Sequence, residues 1–111
     1  MSNISTHILD TAKGCPAAGV PVTLERQEGD GWRRLREAVT DDDGRVKALL
    51  TEPMLAGLHR ISFAVRDYHD RVGVQSFFPH VTIDFDVTDA GAHYHVPLLL
   101  SPFGYSTYRG S

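Results

Sequence analysis

The sequence predicts an all-β fold, an antiparallel sandwich carrying one short helix. Three observations predict it. About seven or eight short stretches alternate apolar and polar residues with the period of a strand. Turn signals rich in Gly, Pro and Asp separate nearly all of them. Past Met54 only one segment, Asp67 to Gly73, has the pattern of a helical turn or two. With 111 residues the chain supports a single two-layer core and not two, so residues 1–111 read as one domain.

Ile4 to Thr11 sets Ile4, Thr6 and Ile8 against Ser5, His7 and Leu9, a strand with both faces partly covered. Lys13 to Gly19 is a loop, and Val20 to Gln27 resumes the alternation with Val20, Val22 and Leu24 inward. Glu28-Gly29-Asp30-Gly31 turns into a partner strand, Trp32 to Thr40, whose Arg33, Arg34 and Arg36 form a solvated face. Thr40-Asp41-Asp42-Asp43-Gly44-Arg45 has the look of a calcium loop but lacks a glycine at the sixth position, which is Val46, and a preceding helix. It reads as a tight acidic turn closed by Gly44, from which Arg45 emerges at a fixed corner. Leu58 to Arg66 lines up Ile61, Phe63 and Val65. After the break at Phe77-Phe78-Pro79, Val81, Ile83, Phe85 and Val87 alternate with Thr82, Asp84 and Asp86 in the clearest half-buried strand. Thr88 to Gly91 turns the chain into its last hairpin. There Tyr94, Val96, Leu98 and Leu100 share a buried face, so His93 and His95 point together to the other. Pro97 donates no hydrogen bond, which puts this strand at an edge or leaves its N–H side unpaired there. Ser101-Pro102-Phe103-Gly104 is a reverse turn, and the remaining residues return as a second strand.

Composition narrows the function. A net charge of −3 offers no basic surface for nucleic acid. No apolar run is long enough to cross a bilayer, and Met1-Ser2-Asn3-Ile4-Ser5 lacks the basic and apolar parts of a signal peptide, so the expected compartment is the cytoplasm. The single cysteine, Cys15, excludes an internal disulfide and reads as an incidental loop thiol. The exposed hairpin edge around Thr107 invites a second copy of the chain.

Three chemistries compete for the polar residues. His93 and His95 could chelate zinc with His7, His59, His69 or His80, though no short-range ligand spacing supports it. Ser101, Ser106 or Ser111 could act as a nucleophile beside a histidine, but no strand-turn-helix elbow is present. The third is acid/base hydrolysis without a covalent step. In it one imidazole activates water, an arginine polarises a carbonyl, and hydroxyls hold a polar substrate. His7, Arg45, His95, Tyr108 and Ser111 are the residue types it needs, and an arginine beside a histidine would keep the ring a neutral base.

Several stretches, taken in order, carry a resemblance. They are His7-Ile8-Leu9-Asp10, Gly14-Cys15-Pro16-Ala17, Thr40 to Arg45, Phe77-Phe78-Pro79, His93 to Pro102, and the closing Tyr108-Arg109-Gly110-Ser111. Over nearly its whole length the chain resembles the 5-hydroxyisourate hydrolases, the transthyretin-related enzymes of urate breakdown. In that family the closing tetrapeptide marks the enzymes and is absent from hormone-carrying transthyretins. The departures, such as Ile8 where valine is common, are conservative.

The resemblance implies a prealbumin-like (transthyretin-like) sandwich of two four-stranded sheets, assembled as a homotetramer, a dimer of dimers, with active sites where the dimers meet. It implies His7, Arg45, His95 and Ser111 as catalytic residues and His7, Arg45, Tyr108 and Ser111 as contacts to 5-hydroxyisourate, with no cofactor and no metal. Arg109 and Gly110 belong to the motif without a separate role. For His93, His59, His69 and His80 a structural part is expected. The competing reading is a transthyretin-like carrier that binds a small ligand without turning it over.

Overall fold

The computed structural model describes residues 2–111. Its strands are β1 (Ile4–Asp10), β2 (Cys15–Pro16), β3 (Pro21–Glu28), β4 (Gly31–Val39), β5 (Arg45–Val46), β6 (Gly57–Phe63), β7 (Val81–Val87), β8 (Tyr94–Ser101) and β9 (Gly104–Thr107), with one helix, α1 (Val65–Arg71). They form two sheets. One runs β4-β3-β6-β7, antiparallel throughout; the other runs β2-β1-β8-β9, with β5 also paired to β1. β2 meets β1 at Leu9 and Asp10 while β5 meets it at Thr6 and His7. The two short pieces therefore share one edge, and the second sheet is four columns wide although five segments build it.

The inner faces follow the predicted alternation. Ile4 and Ile8 of β1, Leu24 of β3, Ile61 and Phe63 of β6, and Leu98 and Leu100 of β8 are fully buried between the sheets. Each such side chain contributes about 1.5–3 kcal/mol by leaving water. Tyr94 and Val96 join them, as the sequence predicts, which leaves His93 and His95 on the opposite face.

Two expectations change, and a third is decided between its alternatives. The sandwich is not wholly antiparallel, because β1 and β8 run side by side in the same direction, Ile4 opposite Tyr94 through Asp10 opposite Leu100. Alternation records which face is buried and is blind to strand direction, and the long connection between these strands permits either. Of the two alternatives for Pro97, the unpaired N–H side holds and the edge does not: β8 is central, between β1 and β9. The missing N–H is accommodated where β9 leaves the ladder. Leu98 opposes Thr107, the next rung is His95 opposite Gly110, three residues further along both strands, and the register is unbroken across the gap. Finally, α1 begins and ends two residues before the predicted span, because Val65, Tyr68 and His69 supply its buried stripe at helical spacing.

Asp10 ties the helix to the sheet. Tyr68 Oη donates to its Oδ2 at 2.7 Å, and the amides of Ala12 and Lys13 each donate to its Oδ1 at 3.0 Å. The carboxylate is buried but has partners on both oxygens, the condition under which such burial is tolerated.

Candidate active site

On the outer face of the β1/β8 sheet lies an open cavity of about 250 Å³, lined by Ser5, Thr6, Arg45, Lys47, His93, His95 and Ser111. Parallel pairing creates it, because Ser5 opposes His95 and His7 opposes Pro97 in one register. β5 adds Arg45 beside His7 from the other side.

Arg45 is placed by the acidic turn. Asp41 Oδ1 accepts from the amides of Asp43 at 2.9 Å and Arg45 at 3.0 Å, and the Asp41 amide donates to the Arg45 carbonyl at 3.0 Å. Those bonds hold the Asp41 carboxyl below the usual carboxylate range, the amide of Arg45 contributing most. Gly44, at φ 72°, closes the turn, and its carbonyl accepts from the Ile8 amide at 2.8 Å. The predicted fixed corner is thus a clasp on the edge of β1.

His95 is the most constrained imidazole here. Its Nδ1 lies 2.7 Å from Ser5 Oγ, which also lies 2.9 Å from His93 Nε2. Its pKa falls below the ordinary histidine value, first because burial penalises the imidazolium, then because the charges of His7, Arg45 and His93 oppose it. His7 does not line the cavity, but stands close enough for its charge to act on His95.

The tail borders the cavity. The Gly110 amide donates to the His95 carbonyl at 2.8 Å, and Gly110 lies against the ring itself. A Cβ there would sit 2.5 Å from His95 Cδ2, so any larger residue forces the tail or the ring to shift. Arg109 turns the other way, its guanidinium 4.4 Å from the centroid of Tyr94, whose hydroxyl in turn accepts from the amides of Thr88 and Asp89. Ser111 follows at the rim of the cavity.

Of the residues named from sequence, Arg45, His95 and Ser111 are brought together and His7 stands adjacent. Tyr108 is not among the lining residues. It is exposed and borders a neighbouring cavity with Phe85, Tyr94 and Arg109. Ser101 donates to the Gly104 carbonyl across its turn at 3.0 Å, and with Ser106 lines a separate pocket that contains no histidine. His59 is buried at the opposite sheet against Phe85, His69 is buried on the helix, and His80 is exposed. Among the described residues, no three His, Cys, Asp or Glu side chains gather as a metal site. Ser5, Lys47 and His93 line the cavity without having been singled out for it. A signal existed: each stands two residues from a named one, Ser5 from His7, Lys47 from Arg45 and His93 from His95, and a strand puts such pairs on one face.

The sequence profile described as HIUase/Transthyretin family matches residues 4–110. The chain belongs to this family. A 5-hydroxyisourate hydrolase of Salmonella typhi is 48% identical over 112 residues, covering 99% of this chain and 82% of its own. Among solved structures, that of Klebsiella pneumoniae 5-hydroxyisourate hydrolase superposes with a TM-score of 0.88 at 39% identity, covering 99% of this chain and all of its own. Sea bream transthyretin in complex with thyroxine superposes with a TM-score of 0.91 at 34% identity, covering 97% of this chain and 94% of its own. Membership in the HIUase/Transthyretin family accounts for the two-sheet fold. A hydrolase structure and a thyroxine-bound transthyretin superpose on the chain about equally well, so the fold alone does not separate what the two do.

Proposed function

We propose that this protein is an enzyme that hydrolyses 5-hydroxyisourate, and that the cavity between Arg45, His95 and Ser111 is where it does so. What carries the reading is a polar cavity pairing a neutral-leaning imidazole with an arginine whose backbone is held by the acidic turn, in a chain whose relatives include hydrolases of that name. A carrier of apolar ligands has no use for this lining, even though the fold resembles a thyroxine-binding protein as closely as it resembles a hydrolase.

In the proposed reaction His95, with His7 as its partner, takes a proton from water as the water oxygen attacks a carbonyl carbon of the six-membered ring. Arg45 stabilises the oxyanion as it forms. The tetrahedral intermediate then collapses, the ring C–N bond breaks, and the imidazolium returns its proton to the departing nitrogen. The product is 2-oxo-4-hydroxy-4-carboxy-5-ureidoimidazoline. Ser111 holds the substrate at the rim and Tyr108 meets it from outside the cavity. We assign the working form to a homotetramer, a dimer of dimers, in which a second dimer covers the open outer face. A mass in solution corresponding to a single chain would contradict that assignment.

The reading is tested by adding the protein to freshly made uricase product and following the decay of 5-hydroxyisourate absorbance. Acceleration over the spontaneous rate is expected, and its absence overturns the hydrolase assignment. The pH profile has a fixed sign. A base works in its deprotonated form, and His95 is held deprotonated below the ordinary histidine range. The acid limb of kcat/KM should therefore have its midpoint below about pH 6.5, and a midpoint above that value would exclude His95 as the base.

Gly110→Ala tests the tail. The methyl must displace either the tail or the His95 ring, so kcat is expected to fall by roughly tenfold or more. Because the tail can yield, thermal stability should change by less than about 1 kcal/mol. Full turnover would mean that the glycine plays no part in placing the ring.

A further inference from the structure

Between His93 and His95 stands a single hydroxyl. Ser5 Oγ is 2.9 Å from His93 Nε2 and 2.7 Å from His95 Nδ1, and Ser5 is only 7% exposed. A serine hydroxyl has one proton to donate, so it cannot donate to both rings. Apart from a form in which Ser5 accepts from both rings and its own proton finds no partner among its contacts, two arrangements satisfy both contacts. In one, Ser5 donates to His93 Nε2 and accepts from His95 Nδ1–H, which leaves His95 Nε2 with a free lone pair. In the other, His93 Nε2–H donates to Ser5, Ser5 donates to His95 Nδ1, and His95 Nε2 carries the hydrogen.

We infer that the first arrangement is the resting one: Ser5 and His93 form a relay that holds His95 as its Nδ1–H tautomer and so makes Nε2 the proton acceptor. Two features favour it. The cavity that His95 lines also holds Arg45, whose charge acts on the His95 ring, and a nitrogen lone pair near a cation is stabilised whereas an N–H dipole is not. In addition, nothing in the relay has to turn when Nε2 takes a proton, because Nδ1–H already donates to Ser5. The alternative would have to reverse both hydrogen bonds at that moment. Preorganisation of this kind places a positioning group behind a catalytic one.

Ser5 and His93 are thus positioning residues, and their effect on turnover rests on the hydrolase reading; their effect on the tautomer does not. The tautomer is read directly in protein labelled with 15N and 13C at histidine, from two-bond proton–nitrogen correlations of the His95 ring. The Nδ1–H form is expected in the unaltered protein and in Ser5→Thr, which keeps the hydroxyl. In Ser5→Ala and in His93→Phe the ring should shift toward the Nε2–H form. In parallel, Ser5→Ala should lower kcat about tenfold with KM little changed, and Ser5→Thr should restore most of it. An Nε2–H ring in the unaltered protein overturns the relay, as does an unchanged ring in Ser5→Ala or His93→Phe. Should the unaltered protein fail to hydrolyse 5-hydroxyisourate while these tautomer shifts appear, the hydrolase reading falls and the relay stands.

Discussion

Arg45→Lys is expected to lower kcat/KM by about 10²–10³ while leaving the fold intact, the range seen when one preorganised donor to an oxyanion is lost. The reason is shape rather than charge. Lys47 already brings an ammonium to the same cavity, so a second point charge adds nothing that the site lacks. A guanidinium offers a planar pair of N–H donors to a developing oxyanion, and a lysine at the same corner offers one mobile donor. The turn that places residue 45 acts through its backbone: Asp41 receives the amide of residue 45, not its side chain. Lysine should therefore occupy the same corner. Steady-state kinetics on the variant, with circular dichroism to confirm the fold, decides the matter. Turnover near that of the unaltered protein would remove Arg45 from oxyanion stabilisation.

Gly44→Ala should be the most destabilising single methyl in the site. The position sits at φ 72°, and an added Cβ would lie 2.5 Å from the Ile8 carbonyl oxygen and 3.1 Å from both the Ala17 nitrogen and Pro16 Cβ. Left-handed backbone costs a non-glycine residue roughly 1–2 kcal/mol. The clash falls on backbone atoms of β1 and the following loop, and those cannot swing aside as a side chain can. A loss of about 3 kcal/mol is expected once the crowding is added, or roughly 10 °C in the unfolding midpoint for a domain of this size. Thermal and urea unfolding measure it. A change under about 1 kcal/mol would show that the turn relaxes freely, and Arg45 could then not be regarded as rigidly held.

Much of this was legible in the sequence, and the exceptions share a cause. Period-two alternation in Tyr94 to Leu100 and in Val81 to Val87 identified the buried faces, and Gly44 with its aspartates identified the clasp. Face assignment also predicted that His93 and His95 project together. It could not say that β1 runs parallel to β8, since a strand read in either direction has the same pattern, and that pairing is what brings Ser5 level with His95. Pro97 left two alternatives open for a related reason. A missing amide marks an edge only when the neighbouring strand requires that rung, and β9 does not make one there. Tyr108 was named for its residue type and through the family motif, not through geometry, and the motif holds residues facing different ways: Arg109 packs on Tyr94 while Gly110 lies on His95. The parts of Lys47 and Ser5 stayed hidden because a lone lysine or serine on a strand resembles ordinary solvated surface until its neighbours are known.

Pro97 has a further effect on the molecule's behaviour. By cutting the ladder between Thr107 and Gly110 it separates the final residues mechanically from the hairpin that carries them. Beyond the gap the backbone is fastened to β8 by the Gly110 amide, with Arg109 resting on Tyr94 as a second hold. An attachment of so few contacts is expected to open at a lower free energy than the β8–β9 hairpin behind it. Amide hydrogen exchange at Gly110 should therefore be faster than at Leu99 and Ser106, inside the hairpin.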